Sequence, residues 1–149
     1  MEAILFIGGQ AAGKSTFYQQ RFRDTHLRIN LDMLRTRHRE AILLEACLRM
    51  QQPFVVDNTN PTREDRRRYI PLAREAGFRV VGYYFALRLE VALARNAQRE
   101  GRQCIPEHGV RATYRKLERP NQDEGFDALH YVQAVGGCRF IVEEWRDEL

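Results

Sequence analysis

Apolar residues along this chain come in short unbroken runs, separated by longer stretches in which they recur every three or four positions. Ala3-Ile4-Leu5-Phe6-Ile7 and Phe54-Val55-Val56 carry no polar alternation, the pattern of strands buried on both faces of a parallel sheet. Between the runs, the spacing predicts helices. One spans Lys14 to about Phe22, a short strand follows at His26 to Asn30, and a second helix runs from about Met33 to Met50 with Leu34, Ile42, Leu44 and Leu48 as its buried face. The strand Pro53-Phe54-Val55-Val56-Asp57 ends in an acid, and Asn60-Pro61 suit the N-cap and first turn of a helix reaching Ala76 and closed by Gly77. Phe78 to Phe85 reads as the next strand and Leu89 to about Arg99 as a helix. Gly101 to Pro106 forms a break before a helix to about Leu117. Asp127 to Val135 and Phe140 to Glu143 are strand candidates with a turn at Gly136-Gly137. Strands alternating with helices predict an α/β domain of three layers, a central mainly parallel sheet flanked by helices. The 149 residues show no repeat, low-complexity tract or linker, and are read as one domain with its own core.

In such sheets ligands gather at the carboxyl ends of the strands, and that rule sorts the polar residues. The first strand runs into Gly8-Gly9-Gln10-Ala11-Ala12-Gly13-Lys14-Ser15, a complete G-x-x-x-x-G-K-[ST] phosphate-binding loop. Its backbone amides point at phosphate oxygens, and the helix beginning there adds its positive dipole end. Lys14 can reach the β- and γ-phosphates of ATP, while Ser15, followed by Thr16, offers a hydroxyl to Mg²⁺. An ordinary tight turn leaves that lysine and serine unexplained. The second strand ends at Asn30-Leu31-Asp32 and the third at Asp57-Asn58-Thr59-Asn60, so all three clusters are expected to line one cleft.

Asp32 beside a γ-phosphate is suited to take the proton of an acceptor hydroxyl, a contribution of about 10²- to 10⁴-fold. It is also suited to cap the helix at Met33. Asp57 either holds Mg²⁺ with Ser15, as the Walker-B acid does, or bonds its own turn through Asn58 and Asn60. Arg63, Arg66, Arg67 and Arg68 read mostly as a solvated helix face. Arg95 and Arg99 are four residues apart, just before the Gly101-Arg102-Gln103 break. A helix pair over about 88–118 suits a lid that carries arginines to a transferring phosphoryl group, the alternative being surface pairing with Glu100 or Glu107.

Of the 24 basic residues only Lys14 and Lys116 are lysines, and the rest are arginine, the better bidentate ligand for phosphate. With a net charge of +4 this favours an acidic partner, although a high-GC coding bias gives the same composition. Phe17, Tyr18, Tyr69, Tyr83 and Tyr84 are not interleaved with basic residues as base stacking requires. Cys47, Cys104 and Cys138 form no C-x-x-C pair and the histidines no metal-ligand spacing. Met1-Glu2 opens without a basic leader and no apolar run approaches about 18 residues, so a cytoplasmic location away from membranes is expected.

Ile29-Asn30-Leu31-Asp32-Met33-Leu34-Arg35, Val55-Val56-Asp57-Asn58-Thr59-Asn60-Pro61, Arg95-Asn96-Ala97-Gln98-Arg99 and Ile105-Pro106, behind the phosphate loop, resemble the kinase domain of polynucleotide 5′-hydroxyl kinases. The similarity spans about residues 4–128, and the Asp-Asn-Thr-Asn-Pro stretch with the following arginine and Tyr69 is its most distinctive part. The resemblance implies a P-loop kinase fold with a helical lid and transfer of the ATP γ-phosphate to a nucleic-acid 5′-OH end. Lys14 and Ser15 would serve phosphate and Mg²⁺, and Asp32 would be the general base. Arg35, with Asn58 and Asn60, would serve the acceptor, and Arg95 and Arg99 the donor phosphates, Arg99 nearest the transferring group. The same broad family contains kinases of small hydroxylated metabolites, nucleotides and antibiotics, which is the alternative. A nucleotide-sensing module without catalysis would not need Asp32, Arg95 and Arg99 together. The chain departs from the family pattern at Ala11-Ala12, where Gly-Ser is usual, a change that alters loop flexibility, and 149 residues leave no room for a phosphatase domain.

Overall fold

A computed structural model describes residues 1–101 and 104–146. Strand β1 (Glu2–Ile7) lies in the middle of a six-stranded sheet, with β3 (Phe54–Val56) on one side and β4 (Arg79–Phe85) on the other. Beyond them lie β2 (Leu27–Ile29), next to β3, and β5 (Ala128–Ala134) and β6 (Phe140–Glu144) outside β4. All pairs are parallel except β5–β6, a hairpin whose turn uses positive φ at Gly136, Gly137 and Cys138. This is the mainly parallel sheet that the apolar runs predict.

Each central strand feeds both faces, because successive side chains point to opposite sides. Ala3, Leu5 and Ile7 of β1 join Phe54, Val56 and Val80 in one core, under α3 (Arg37–Met50) and α5 (Ile70–Glu75). Ile4 and Phe6 join Val55, Val81 and Phe85 in the other, under α1 (Lys14–Arg21). Phe17 anchors α1 there, with its ring centroid 5.8 Å from Phe6, 5.3 Å from Phe85 and 5.1 Å from Phe140. Burying such a ring contributes about 2–3 kcal/mol, which holds an eight-residue helix too short to persist alone.

Two predicted helices are broken. The one expected from Met33 divides into α2 (Leu31–Leu34) and α3, separated by Arg35 at φ 78° and Thr36, whose side chain caps α3. Ile42, expected on the buried face, is exposed, whereas Leu44 and Cys47 are buried. The helix expected after Asn60 divides into α4 (Arg63–Arg66) and α5, the latter entered through Pro71. Asn60 is not its cap: Thr62 is, in a reciprocal box with Asp65, and Asn60 sits at φ 44° with its side chain directed to the sheet. Gly77 takes the left-handed conformation just after α5, as a helix terminator does.

The remaining α-helices, α6 (Leu89–Ala97) and α7 (Glu107–Lys116), pack against each other beside the loop leaving the carboxyl end of β1. Asn96 clasps them, its Nδ2 donating to Ile105 O at 2.6 Å and its Oδ1 accepting from Ile105 N at 2.9 Å. Arg102 and Gln103, expected at the tip, lie outside the described residues. The register aligns Ile29 with Val56, Leu5 with Val56 and Ile7 with Tyr84, so the loops leaving β1, β2, β3 and β4 open on the same edge.

Candidate active site

The loop leaving β1 is held from below. Gly8 N donates to Thr59 O at 3.0 Å, and Asn60 Nδ2 donates to Phe6 O at 2.8 Å, so the loop after β3 carries the start of the phosphate loop. The turn into α1 needs two left-handed residues, Ala11 at φ 66° and Gly13 at φ 94°. Gly13 pays nothing for this and leaves space beside Phe140, where a Cβ would come within 3.0 Å of the ring. Ala11 costs about 1–2 kcal/mol in that region, at one of the two positions where the sequence departs from the family's Gly-Ser.

Lys14 folds back over the loop, its Nζ donating to Gly8 O at 2.9 Å and Gly9 O at 2.7 Å. Burial lowers its pKa from 10.5 to about 8; the charges of Asp57 and Asp32 oppose that shift and Arg99 adds to it. A phosphate displacing the two carbonyls would meet a cation already stripped of much of its hydration.

Beside Lys14, Ser15 Oγ lies 3.3 Å from Asp57 Oδ2. Asp57 is only 2 % exposed, and its carboxylate faces Ser15 and Arg28; the amides of its own turn play no part in its bonding. Two oxygen donors, one hydroxyl and one carboxylate, beside a phosphate loop suit Mg²⁺, which prefers one or two carboxylates plus substrate phosphates to an all-protein cage. Among the described residues no cluster of three or more His, Cys, Asp or Glu competes for a metal. A cation already stands on these oxygens, the guanidinium of Arg28, at 2.8 Å from Asp57 Oδ2 and 3.0 Å from Ser15 Oγ.

Asp32 does not cap its helix. Asn30 does so, accepting from Met33 N at 2.9 Å and tying itself to Asp57 O through Nδ2. That leaves Asp32 on the exposed first turn of α2, its carboxylate uncommitted to the helix end. Arg35 follows at φ 78°, ψ −37°, a conformation bulky residues avoid, with its N–H on Leu31 O at 2.7 Å. Its side chain projects from the exposed end of the same turn.

Asn58 joins this turn to the body of the protein. Its Oδ1 accepts from Leu31 N at 2.8 Å, and its Nδ2 donates to Glu40 Oε2 at 2.9 Å and to the Tyr69 hydroxyl at 3.3 Å. Glu40, buried, also receives Tyr69 OH at 3.0 Å and Arg37 at 2.8 Å. In this geometry Asn58 and Asn60 spend their side chains on positioning loops. The sequence alone did not single out Glu40, since Arg37 and Glu40 look like any surface pair three residues apart.

Arg66 likewise departs from the predicted solvated face. It is fully buried, paired with Glu124 through two bonds of 2.8 and 3.0 Å, and donates to Asn60 O and Pro61 O. Glu124 belongs to a single 3₁₀ turn, Gln122–Glu124, whose distance in sequence hid the pairing.

Over the loop lies the helix pair. Tyr114 OH of α7 donates to Gln10 O at 2.9 Å, Gln10 Nε2 donates to Thr113 Oγ1 at 3.0 Å, and Arg95 of α6 donates to Ala11 O at 3.3 Å. Arg95 is thus turned to the phosphate loop, while Glu107 pairs with Arg111. Arg99 lies just past the end of α6 and within electrostatic reach of Lys14. The ring of Tyr114 fills the space over Gly9, where a side chain at position 9 would collide with it.

A family model described as an AAA domain, AAA_33, matches residues 4–120, from the first strand through the helix pair. The chain belongs to this family. The chain is 26 % identical over 135 residues to a bifunctional polynucleotide phosphatase/kinase of Schizosaccharomyces pombe, covering 88 % of this chain and 33 % of that protein. The chain therefore spans about one third of the length of that curated relative. Two solved structures share the AAA_33 domain's fold, each with a TM-score of 0.66. One is a gluconokinase from Sinorhizobium meliloti, 17 % identical and covering 92 % of this chain and 85 % of that one. The other is Chaetomium thermophilum Kti12 in complex with ADP-AlF3, 16 % identical and covering 88 % of both chains. The architecture is that of a P-loop kinase-like domain. No helix among the described residues is long and apolar enough to cross a membrane.

Proposed function

We propose that this domain transfers the γ-phosphate of ATP to the 5′-hydroxyl end of a polynucleotide. The observation that carries the reading is the meeting of three chain segments at the phosphate loop: Ser15 Oγ lies 3.3 Å from Asp57, Asn58 ties the turn bearing Asp32 to the loop after β3 through Leu31 N at 2.8 Å, and Arg95 donates to Ala11 O at 3.3 Å. This arrangement supports donor and acceptor chemistry in one cleft. Loop amides and Lys14 bind the β- and γ-phosphates, with Thr16 in the first turn of α1 beside them. Ser15 and Asp57 would hold Mg²⁺, which when bound neutralises charge on the phosphate oxygens. Asp32 takes the proton of the attacking hydroxyl, and Arg35, exposed at the end of the same turn, would serve an acceptor phosphate. Arg95 and Arg99 counter the charge of the transferring group from the lid side.

The 26 % similarity to a polynucleotide phosphatase/kinase supports the choice of acceptor, and so does a cationic side chain set that is almost wholly arginine. The test is incubation with labelled ATP and Mg²⁺ against 5′-OH oligonucleotides, nucleosides and sugars. Oligonucleotide labelling that weakens steeply with salt is expected. Labelling confined to a nucleoside or sugar, and insensitive to salt, would replace the polynucleotide by a small acceptor. Asp32→Asn is expected to lower turnover by at least about 10²-fold while ATP affinity stays at the wild-type value. Near wild-type turnover in that variant would remove Asp32 from the role of base.

A further inference from the structure

Arg28 is the middle residue of β2, an edge strand of three residues, and its guanidinium lies on both oxygens assigned above to a divalent ion. Nε donates to Asp57 Oδ2 and Nη2 to Ser15 Oγ, while its Cζ stands 5.9 Å from the centre of the Tyr18 ring. Tyr18 is itself fixed, its hydroxyl donating to His26 O at 2.6 Å. The two partners of the ion pair are unlike. Asp57 is buried at 2 % exposure at the end of β3, where Asn30 Nδ2 donates to its carbonyl at 2.6 Å. The Arg28 side chain is 27 % exposed on a long flexible stem, so it can withdraw toward solvent without opening a hole in either core.

A buried carboxylate needs a cation at all times, because an unpaired charge in such surroundings costs several kcal/mol. Arg28 meets that need, but its nitrogens and a metal cannot stand on the same two oxygens together. We propose that Arg28 is a resident counter-ion of the metal position, which must leave Ser15 and Asp57 when a divalent ion binds. Asp57 then faces a cation in both states. One side chain sets the metal concentration at which the donor site loads, and a nucleotide phosphate arriving with its metal gives the released guanidinium an anionic partner. The inference rests on the reading of Ser15 and Asp57 as metal-holding residues.

The experiment measures Mn²⁺ binding to the full chain by the loss of the free-ion electron paramagnetic resonance signal, with and without ADP. Wild type is compared with Arg28→Gln, which keeps length and hydrogen-bonding capacity but drops the charge, and with Arg28→Ala. Both variants are expected to bind Mn²⁺ at least about tenfold more tightly than wild type, about 1.4 kcal/mol. In EDTA they are expected to melt below wild type and to recover on adding Mn²⁺, since the ion then supplies the missing counter-charge. Adding Asp57→Asn to Arg28→Gln is expected to abolish the gain. If Arg28→Ala does not fold in EDTA, Arg28→Gln carries the comparison. Mn²⁺ binding by wild type that neither variant strengthens overturns the proposal alone and makes Arg28 a permanent partner of Asp57. Absence of Mn²⁺ binding in every protein, with ADP present as well, overturns the metal assignment of Ser15 and Asp57 and the proposal with it.

Discussion

Replacing Arg66 with Met tests how the site is supported from beneath. Arg66 is 0 % exposed and Glu124 3 % exposed, and two charge-assisted bonds of 2.8 and 3.0 Å join them. Removing the guanidinium strands a buried carboxylate whose remaining bond is the one it accepts from Asn121 N at 2.9 Å. It also removes donors from Asn60 O and Pro61 O. Breaking a buried pair by deleting one partner costs about 3–5 kcal/mol. For a domain of this size each kcal/mol lowers the melting temperature by about 2–4 °C, so Arg66→Met is expected to melt roughly 6–20 °C below wild type. The double variant Arg66→Met/Glu124→Leu removes both charges and is expected to regain most of that loss, because the penalty lies in the unpaired charge. Thermal and urea unfolding of the four proteins completes the cycle. A single variant within about 1 kcal/mol of wild type, or a double variant no more stable than the single, would refute the account.

Two further outcomes follow from the loop and its cover. Gly9→Ala places a methyl group against the Tyr114 ring, so it is expected to keep the fold's melting temperature but to lose phosphoryl transfer, with activity partly regained in Gly9→Ala/Tyr114→Ala; full activity in the single variant would show that the helix pair need not close over Gly9. Lys14 is held at about 8 against 10.5, so between those pH values the unfolded chain binds more protons than the folded one, and stability from this group rises with pH across that window. Below pH 8 the cost of the buried ammonium is present in full. The advantage of Lys14→Met over wild type is therefore expected to shrink by about 2 kcal/mol between pH 7 and 10, after allowance for partial exposure, and a pH-independent difference in urea unfolding would contradict this.

Some of the site was legible because it is written in consecutive residues. The phosphate loop needs a buried strand, a glycine-rich turn and a helix in that order, and all three lie within residues 3–21. Arg95 and the helix pair were legible for the same reason, since one helical face and one break define them. The broken helices were not. Thr36 is a good cap, but the apolar periodicity runs straight past it, and Arg35 at φ 78° interrupts the helix there; the second helix divides between Arg66 and Ile70, where Pro71 opens α5. Capping by Asn30 in place of Asp32 shifts α2 by two residues against expectation, and that shift leaves the Asp32 carboxylate uncommitted.

Alone, the sequence determined the α/β class, the mainly parallel sheet and the strand, loop and helix of the phosphate-loop segment, because period, run length and loop chemistry are local properties that neighbouring residues enforce. Pairings across the chain were decided only by the tertiary structure: Arg66 with Glu124, 58 positions apart, Asn58 with Glu40 and Tyr69, Arg28 with Asp57, and Tyr114 over Gly9. The first three each involve a buried polar group, Arg66, Glu40 or Asp57, whose burial is tolerated only with one particular distant partner. No pattern along the chain records which partner the folded sheet will bring within hydrogen-bonding distance.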